Sequence, residues 1–254
     1  MPDLPDYKQD PEAYELEERS RPDEMLMINT AVAWALSLLD DLEKAFVLDL
    51  CCGTGLSLDS IVDHPNIGLI VGVDICKPYL DFAAKRFSGS RTEPIYLQED
   101  AVEVCLPEYE WDVVMLCSAY HHIENERKLQ FLEKVRRLIG ASGHAVLAEN
   151  VLPQYEEHDE ASYENAIRFF YAEVLKEAKS KNPELPSYVE GLIERVAQYG
   201  YDGDYEYKTC YRVLANNLEN AGLRIVLQER VWPRSGALSR TSGGNYVLLL
   251  RAAS

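Results

Sequence analysis

Three aspartates, two glycines and two histidines stand where they could do chemistry together on one small ligand. Asp49 closes an apolar run from Val47, and the next turn, Cys51-Cys52-Gly53-Thr54-Gly55, carries two glycines one residue apart. A residue without Cβ lets a ligand lie against backbone amides. A second apolar run, Leu69 to Val73, ends in Asp74. A carboxylate at the carboxyl end of a second parallel strand can accept hydrogen bonds from two vicinal ribose hydroxyls. Asp100 follows Ile95-Tyr96-Leu97, and His121-His122 follow Val113 to Cys117. An imidazole is suited to take a proton from a hydroxyl or an activated carbon acid near neutral pH; the alternative for either histidine is to pack or to cap the helix near Glu124.

The elements holding these residues alternate. Val47–Leu50, Leu69–Val73, Ile95–Gln98, Asp112–Leu116 and His144–Leu147 read as buried strands. Leu56–Val62, Pro78–Phe87 and Glu124–Ile139 have helical spacing. Such alternation predicts a parallel sheet covered on both faces, with ligands at the carboxyl ends of the strands. Two occupants suit the pocket, a dinucleotide and S-adenosylmethionine. A dinucleotide needs G-x-G-x-x-G to bring pyrophosphate to a helix N-terminus. The turn here lacks the first and last of those glycines, and Asp49 would repel a phosphate but neutralise an ammonium.

On these residues the chain resembles the class I S-adenosylmethionine-dependent methyltransferases. Asp49, Cys51, Gly53 and Gly55 fill the acid-and-glycine motif, Asp74 the ribose position, and Asp100-Ala101 the adenine position. Trp111–Cys117 with His121-His122-Ile123 resembles the fourth strand and active-site mouth, and Leu138–Gly143 the turn before the fifth strand, without its proline. The likeness runs from Phe46 to Asn150 and resumes from Ala221 to Arg251. It implies a Rossmann-like α/β fold whose mostly parallel seven-stranded sheet has an antiparallel last strand. It implies S-adenosyl-L-methionine as cofactor, held by Asp49, Cys51, Gly53, Gly55, Asp74, Ile75, Asp100, Ala101 and Cys117. One departure is Cys51, where the family has glycine; a Cβ there is strained if the backbone needs positive φ.

Around this core, Asp23–Leu42 reads as an amphipathic helix and residues 1–45 as an N-terminal helical lid, with the first residues poorly ordered. Tyr7, Tyr14 and Arg19 are candidates to reach the ligand from it, against the plainer roles of packing and solvation. The methyltransferase domain is then 46–254. Residues 151–207 break the βα alternation, with helical spacing in Ser162–Lys179 and Ser187–Tyr199. They read as a helical cap inserted after strand five and folded over the open sheet edge. Its many tyrosines suit an acceptor pocket, or the cap's own core. Thr209–Ala221 reads as a helix ended by Gly222, and Leu223–Val231 and Tyr246–Arg251 as the closing strand pair.

For the acceptor, position along the chain picks out Tyr120, Glu149, Tyr163, Arg168 and Trp232, with Glu149 free to hold an amine or pair with Arg168 or Arg234. The loop from Trp232 to Gly236 is a candidate wall. A formal charge of −18 disfavours nucleic acid and anionic membranes, because phosphate binding runs on Lys and Arg. Six cysteines without zinc spacing point to a reduced cytoplasm and no metal. No run is long enough to span a membrane. The expected reaction is methyl transfer to a small molecule, oxygen first and carbon or nitrogen next, with His121 or His122 as base. The rival is a non-methylating enzyme or regulatory protein that binds the same cofactor. Monomer and homodimer stay equally open.

Overall fold

The computed structural model describes residues 10–21, 23–107, 111–234 and 243–253. Tyr7, Ser235 and Gly236 lie outside them. Two helices lead, α1 (Pro11–Ser20) and α2 (Glu24–Leu39), followed by β1 (Ala45–Leu50), β2 (Ile67–Asp74), α3 (Lys77–Arg86), β3 (Ile95–Gln98) and β4 (Val113–Cys117). Then come α4 (Lys128–Ile139), β5 (His144–Val151), α5 (Glu160–Lys181), α6 (Ser187–Asp202), α7 (Tyr211–Asn220), β6 (Leu223–Trp232) and β7 (Gly244–Ala252).

The seven strands form one sheet in the order β3-β2-β1-β4-β5-β7-β6. β1 to β5 pair in parallel, and β7 runs antiparallel to both β5 and β6. Strand order reverses at β1, which is flanked by β2 and β4, so the carboxyl ends of these strands open a crevice. The central strands β1 and β4 are covered on both faces and are therefore apolar at nearly every position, whereas the edge strand β6 is largely exposed. Leu48, Leu50, Val114 and Leu116 meet α4 and α7 in one core; Val47, Val113 and Met115 meet α2 in the other. A third cluster joins α5 and α6 to Leu152 and Trp232, so the insertion rests on the carboxyl ends of β5 and β6.

Two elements differ from the sequence reading. Leu56–Val62 is not a helix: a single 3₁₀ turn, Leu56–Leu58, is followed by further turns. Few residues separate Gly55 from His64-Pro65, and proline biases its predecessor away from helix. Conversely, α1 forms within the acidic N-terminal stretch. The Asp10 side chain accepts from the amides of Glu12 (3.0 Å) and Ala13 (3.1 Å), and Pro11 opens the first turn.

A buried polar knot fastens these leading helices to the sheet. Arg21 pairs with Glu18, lies 3.6 Å from Glu17 and 3.5 Å from Glu24, and donates to Asn150 Oδ1 at 3.1 Å. Glu24 in turn accepts from Ser118 Oγ (2.8 Å) and Asn150 Nδ2 (2.9 Å). On the other side Arg86 of α3 pairs with Glu15 of α1.

Candidate functional site

At the crevice lies a cavity of about 480 Å³. Cys51, Gly53, Asp74, Ile75, Asp100 and Ala101 line it, together with Tyr14, Tyr79, Ser118, His122, Arg127 and Tyr205. Asp74 is locked in place: Oδ2 accepts from Gly53 N and Oδ1 from Cys76 N, both at 2.8 Å. A carboxylate oxygen can accept more than one hydrogen bond, so the group keeps capacity for a ligand diol. Asp100 is fixed in the same way by Val102 N (2.7 Å) and Arg127 Nη1 (2.9 Å). Tyr14 of α1 tilts against Tyr79 of α3, ring centroids 5.0 Å apart, beside Gly53.

The remaining members of the cofactor set stand behind this wall. Asp49 is 1 % exposed; burial pushes its carboxyl up to about 7, opposed by a 2.5 Å hydrogen bond from Ser57. Its second oxygen, Oδ1, has no hydrogen-bond partner among the described residues. Gly55 (φ +81°) serves packing, since a Cβ would come within 2.6 Å of the Phe87 ring. Cys117 belongs to the α2-side core. Cys51 takes φ +58°, the left-handed region foreseen as strained for a side chain.

The two histidines separate cleanly. His121 is 3 % exposed and turned inward: its backbone amide donates to Glu149 Oε2 (3.1 Å), and Nδ1 lies 2.5 Å from Glu149 Oε1. Its Nε2 lies 3.6 Å from Glu206 Oε2, and Lys208 Nζ is 3.3 Å from the same oxygen. His121, His122 and Glu206 place possible ligand atoms within 4.8 Å of one another, a spacing that suits a metal ion, but the Lys208 ammonium already supplies positive charge there. His122 instead lines the cavity. Its Nδ1 is 2.9 Å from the Tyr205 carbonyl, which can only accept, so Nδ1 carries the proton and Nε2 the lone pair. The ring also stacks on Tyr205, centroids 4.9 Å apart.

None of the residues picked for the acceptor lines the cavity. Glu149 is buried against His121 and does not pair with Arg168 or Arg234. Arg168 lies over the Tyr201 ring at 4.6 Å, and Arg234 lies 3.8 Å from Asp23. Tyr120 is fully buried and accepts from Asn217 Nδ2 at 2.8 Å. Tyr163 packs edge-on against Tyr155, with burial pushing its hydroxyl up to about 12, and Trp232 packs edge-on against Phe170. Arg19 turns outward to Glu15. The sequence reading missed Arg127, and it held Tyr205 and Tyr207 only as two of the cap's many tyrosines without singling them out. Arg127 lies past an extended break after the histidines, just before α4 begins, with no motif to mark it; Tyr205 and Tyr207 belong to a loop whose return to the cavity depends on how α5 and α6 fold.

Residues 47–143 match the family model described as a methyltransferase domain. The demethylmenaquinone methyltransferase of Lactococcus lactis is 27 % identical over 153 residues, covering 57 % of this chain and 60 % of that one. The chain thus spans little more than half the length of the curated relatives it matches. Among solved structures, the Burkholderia thailandensis 1,6-didemethyltoxoflavin N1-methyltransferase, bound to 1,6-didemethyltoxoflavin and S-adenosylhomocysteine, superposes with a TM-score of 0.56. That likeness covers 90 % of this chain and 79 % of the other at 15 % identity. The [4+2]-cyclase SpnF superposes with a TM-score of 0.60 at 12 % identity, covering 91 % and 82 %. Over residues 47–143, with the strand order, the glycine turn and the strand-tip aspartates, the chain is similar to the class I S-adenosylmethionine-dependent methyltransferases.

Proposed function

We propose that the chain binds S-adenosylmethionine in this cavity and catalyses methyl transfer to a small-molecule acceptor, at oxygen before carbon or nitrogen. The observation that carries the reading is the convergence of Asp74, Asp100-Ala101 and the Gly53 turn on one cavity at the point where strand order reverses. The donor set fits the cofactor. Asp74 offers acceptors for a ribose diol, Asp100 and the amide of Ala101 suit an adenine edge, and the orphaned Asp49 Oδ1 suits an ammonium. When bound, the cofactor supplies an electrophilic methyl group on a sulfonium.

This chain's residues then have to orient the acceptor, exclude water and take a proton. Alignment alone is worth roughly 7–11 kcal/mol in favourable cases. Tyr14 of the N-terminal helix and Tyr205 of the loop after α6 wall the cavity from two sides, as a lid and a cap would. His122 Nε2 is the available base, whereas His121 is committed to Glu149. Acidic Glu99, Asp100, Glu124 and Asp204 outnumber Arg127 around the cavity, an arrangement that suits a neutral or cationic acceptor and repels a nucleic-acid strand. Labelled methyl cofactor incubated with candidate hydroxylated small molecules tests the reading: label must appear in the acceptor. Cofactor binding without any label transfer supports the second reading, a non-methylating enzyme on this scaffold. The likeness to a cyclase keeps that reading in view.

Two consequences concern the end of β1 and the turn that follows it. The folded pKa of Asp49 is raised, so the free protein holds a proton there below about pH 7 that the unfolded chain releases near pH 4. Stability from this group is present below the unfolded value and lost as pH rises through about 7. A cofactor ammonium favours the ionised form, so binding tightens from pH 5.5 to 8 and releases a proton at the acid end. Titration calorimetry in buffers of different ionisation enthalpy reads that proton, and Asp49→Asn removes it. At Cys51, glycine relieves about 1–2 kcal/mol of left-handed strain and gives back about 0.4–1 kcal/mol through the unfolded chain. Cys51→Gly therefore binds cofactor more tightly with a slightly raised melting temperature, checked by paired titration and thermal unfolding; weaker binding contradicts it.

A further inference from the structure

At the opposite end of the sheet, where the parallel strands begin, a second concavity of about 420 Å³ is lined by Arg136, Arg137, Arg224 and Arg251 with Gly140, Ala141, Ala252 and Ala253. Among the described residues no carboxylate lines it and none of the four guanidinium groups forms an ion pair. The chain as a whole carries −18, so a pocket of four unpaired arginines runs against its composition. Arg136 and Arg137 alone have an ordinary explanation, since cations in the last turn of α4 suit the helix dipole. Arg224 and Arg251 do not. They are direct partners across the β6–β7 ladder, where like charges destabilise.

The backbone sets where the arginines start. Gly222, at φ +72°, gives Arg136 its room: a Cβ there would stand 2.9 Å from Arg136 Nε. Ladder register sets the backbone of Arg224 directly opposite that of Arg251. The neighbouring His144 is pushed down, first by burial and then by the charge of Arg251.

We propose that this pocket binds a compact anion carrying two or more phosphoryl groups, of the size of pyrophosphate or a nucleoside diphosphate. Planar guanidinium forks grip phosphate oxygens in pairs, and several forks converging on one concavity favour clustered over single phosphates. The ligand relieves the repulsion between Arg224 and Arg251, which gives the site its selectivity for high charge. It lies at the far end of the sheet from the methyl-transfer cavity, so binding there does not depend on that assignment.

The test is calorimetric titration of the full chain at low salt with inorganic pyrophosphate, inorganic phosphate and a short single-stranded oligonucleotide. Saturable one-to-one binding of pyrophosphate is expected, weaker for phosphate and weakening as salt is raised. Arg224→Glu is the decisive variant, because it replaces a like-charge cross-strand pair by an opposite-charge one. It should keep or raise the melting temperature, leave S-adenosylmethionine binding unchanged and weaken pyrophosphate binding by about tenfold or more, as expected when a charge-assisted hydrogen bond is lost. Should that variant fail to fold, Arg137→Gln on the exposed face of α4 gives the same reading. No saturable binding of pyrophosphate overturns the proposal. So does binding unchanged by these substitutions, or an oligonucleotide that binds more tightly through the same arginines.

Discussion

Asp74→Ala loses S-adenosylmethionine affinity by about two to four orders of magnitude, the equivalent of two hydrogen bonds to a charged group at roughly 1.5–3 kcal/mol each. The effect is large because Asp74 does two jobs at once. On the proposed reading its oxygens accept from the ribose diol of the cofactor. They also hold the amides of Gly53 and Cys76, each at 2.8 Å, and so shape the glycine turn itself. Alanine leaves both amides without their acceptor, and the turn is free to drift out of register with Asp100. Asp74→Asn keeps one carbonyl oxygen and should fall between the two. Equilibrium dialysis with labelled cofactor measures all three proteins; affinity that survives the alanine substitution places the nucleoside somewhere else.

His122→Gln lowers kcat by about 10²–10⁴-fold, the usual contribution of a positioned general base, while cofactor affinity is kept. Glutamine can still donate to the Tyr205 carbonyl but offers no basic lone pair. The wild-type rate falls as acid protonates Nε2, and that limb disappears in the variant, which a merely structural histidine would not produce. His121→Gln behaves differently. It takes the imidazole from the buried Glu149 and leaves it only the amides of His121 and Asn150; breaking a buried pair costs about 3–5 kcal/mol, so its signature is a lower melting temperature. Equal kcat losses with equal destabilisation in both variants would refute the division of labour between the two rings.

Most of this scaffold can be read from residue types alone. Apolar runs ending in Asp49, Asp74 and Cys117 announce parallel strands buried on both faces, and the sheet places them as read, with the last strand antiparallel. Asp74, Asp100 and Ala101 share one cavity because strand ends and turns are local features with strong geometry. The acceptor side was much less legible. Position suggested Tyr120, Glu149, Tyr163, Arg168 and Trp232, yet a tyrosine or glutamate at a strand end can turn inward as readily as outward. Partners distant in sequence decide the matter: Asn217 holds Tyr120, and His121 holds Glu149. Arg127, Tyr205 and Tyr207 reach the cavity through tertiary folding of α4 and the loop after α6, which no local pattern encodes. The buried knot of Arg21 with Glu17, Glu18 and Glu24 was hidden for the same reason, because on a helix wheel those charges look solvent-facing.

The central claim concerns where a nucleoside sits, and a crystal structure of the chain grown with saturating S-adenosylhomocysteine addresses it directly. The ribose hydroxyls should lie within hydrogen-bond distance of both Asp74 oxygens, with the adenine edge at Asp100 and Ala101 and the amino group toward Asp49. Density for the nucleoside anywhere else, or an intact cavity with no ligand at saturating concentration, contradicts the account.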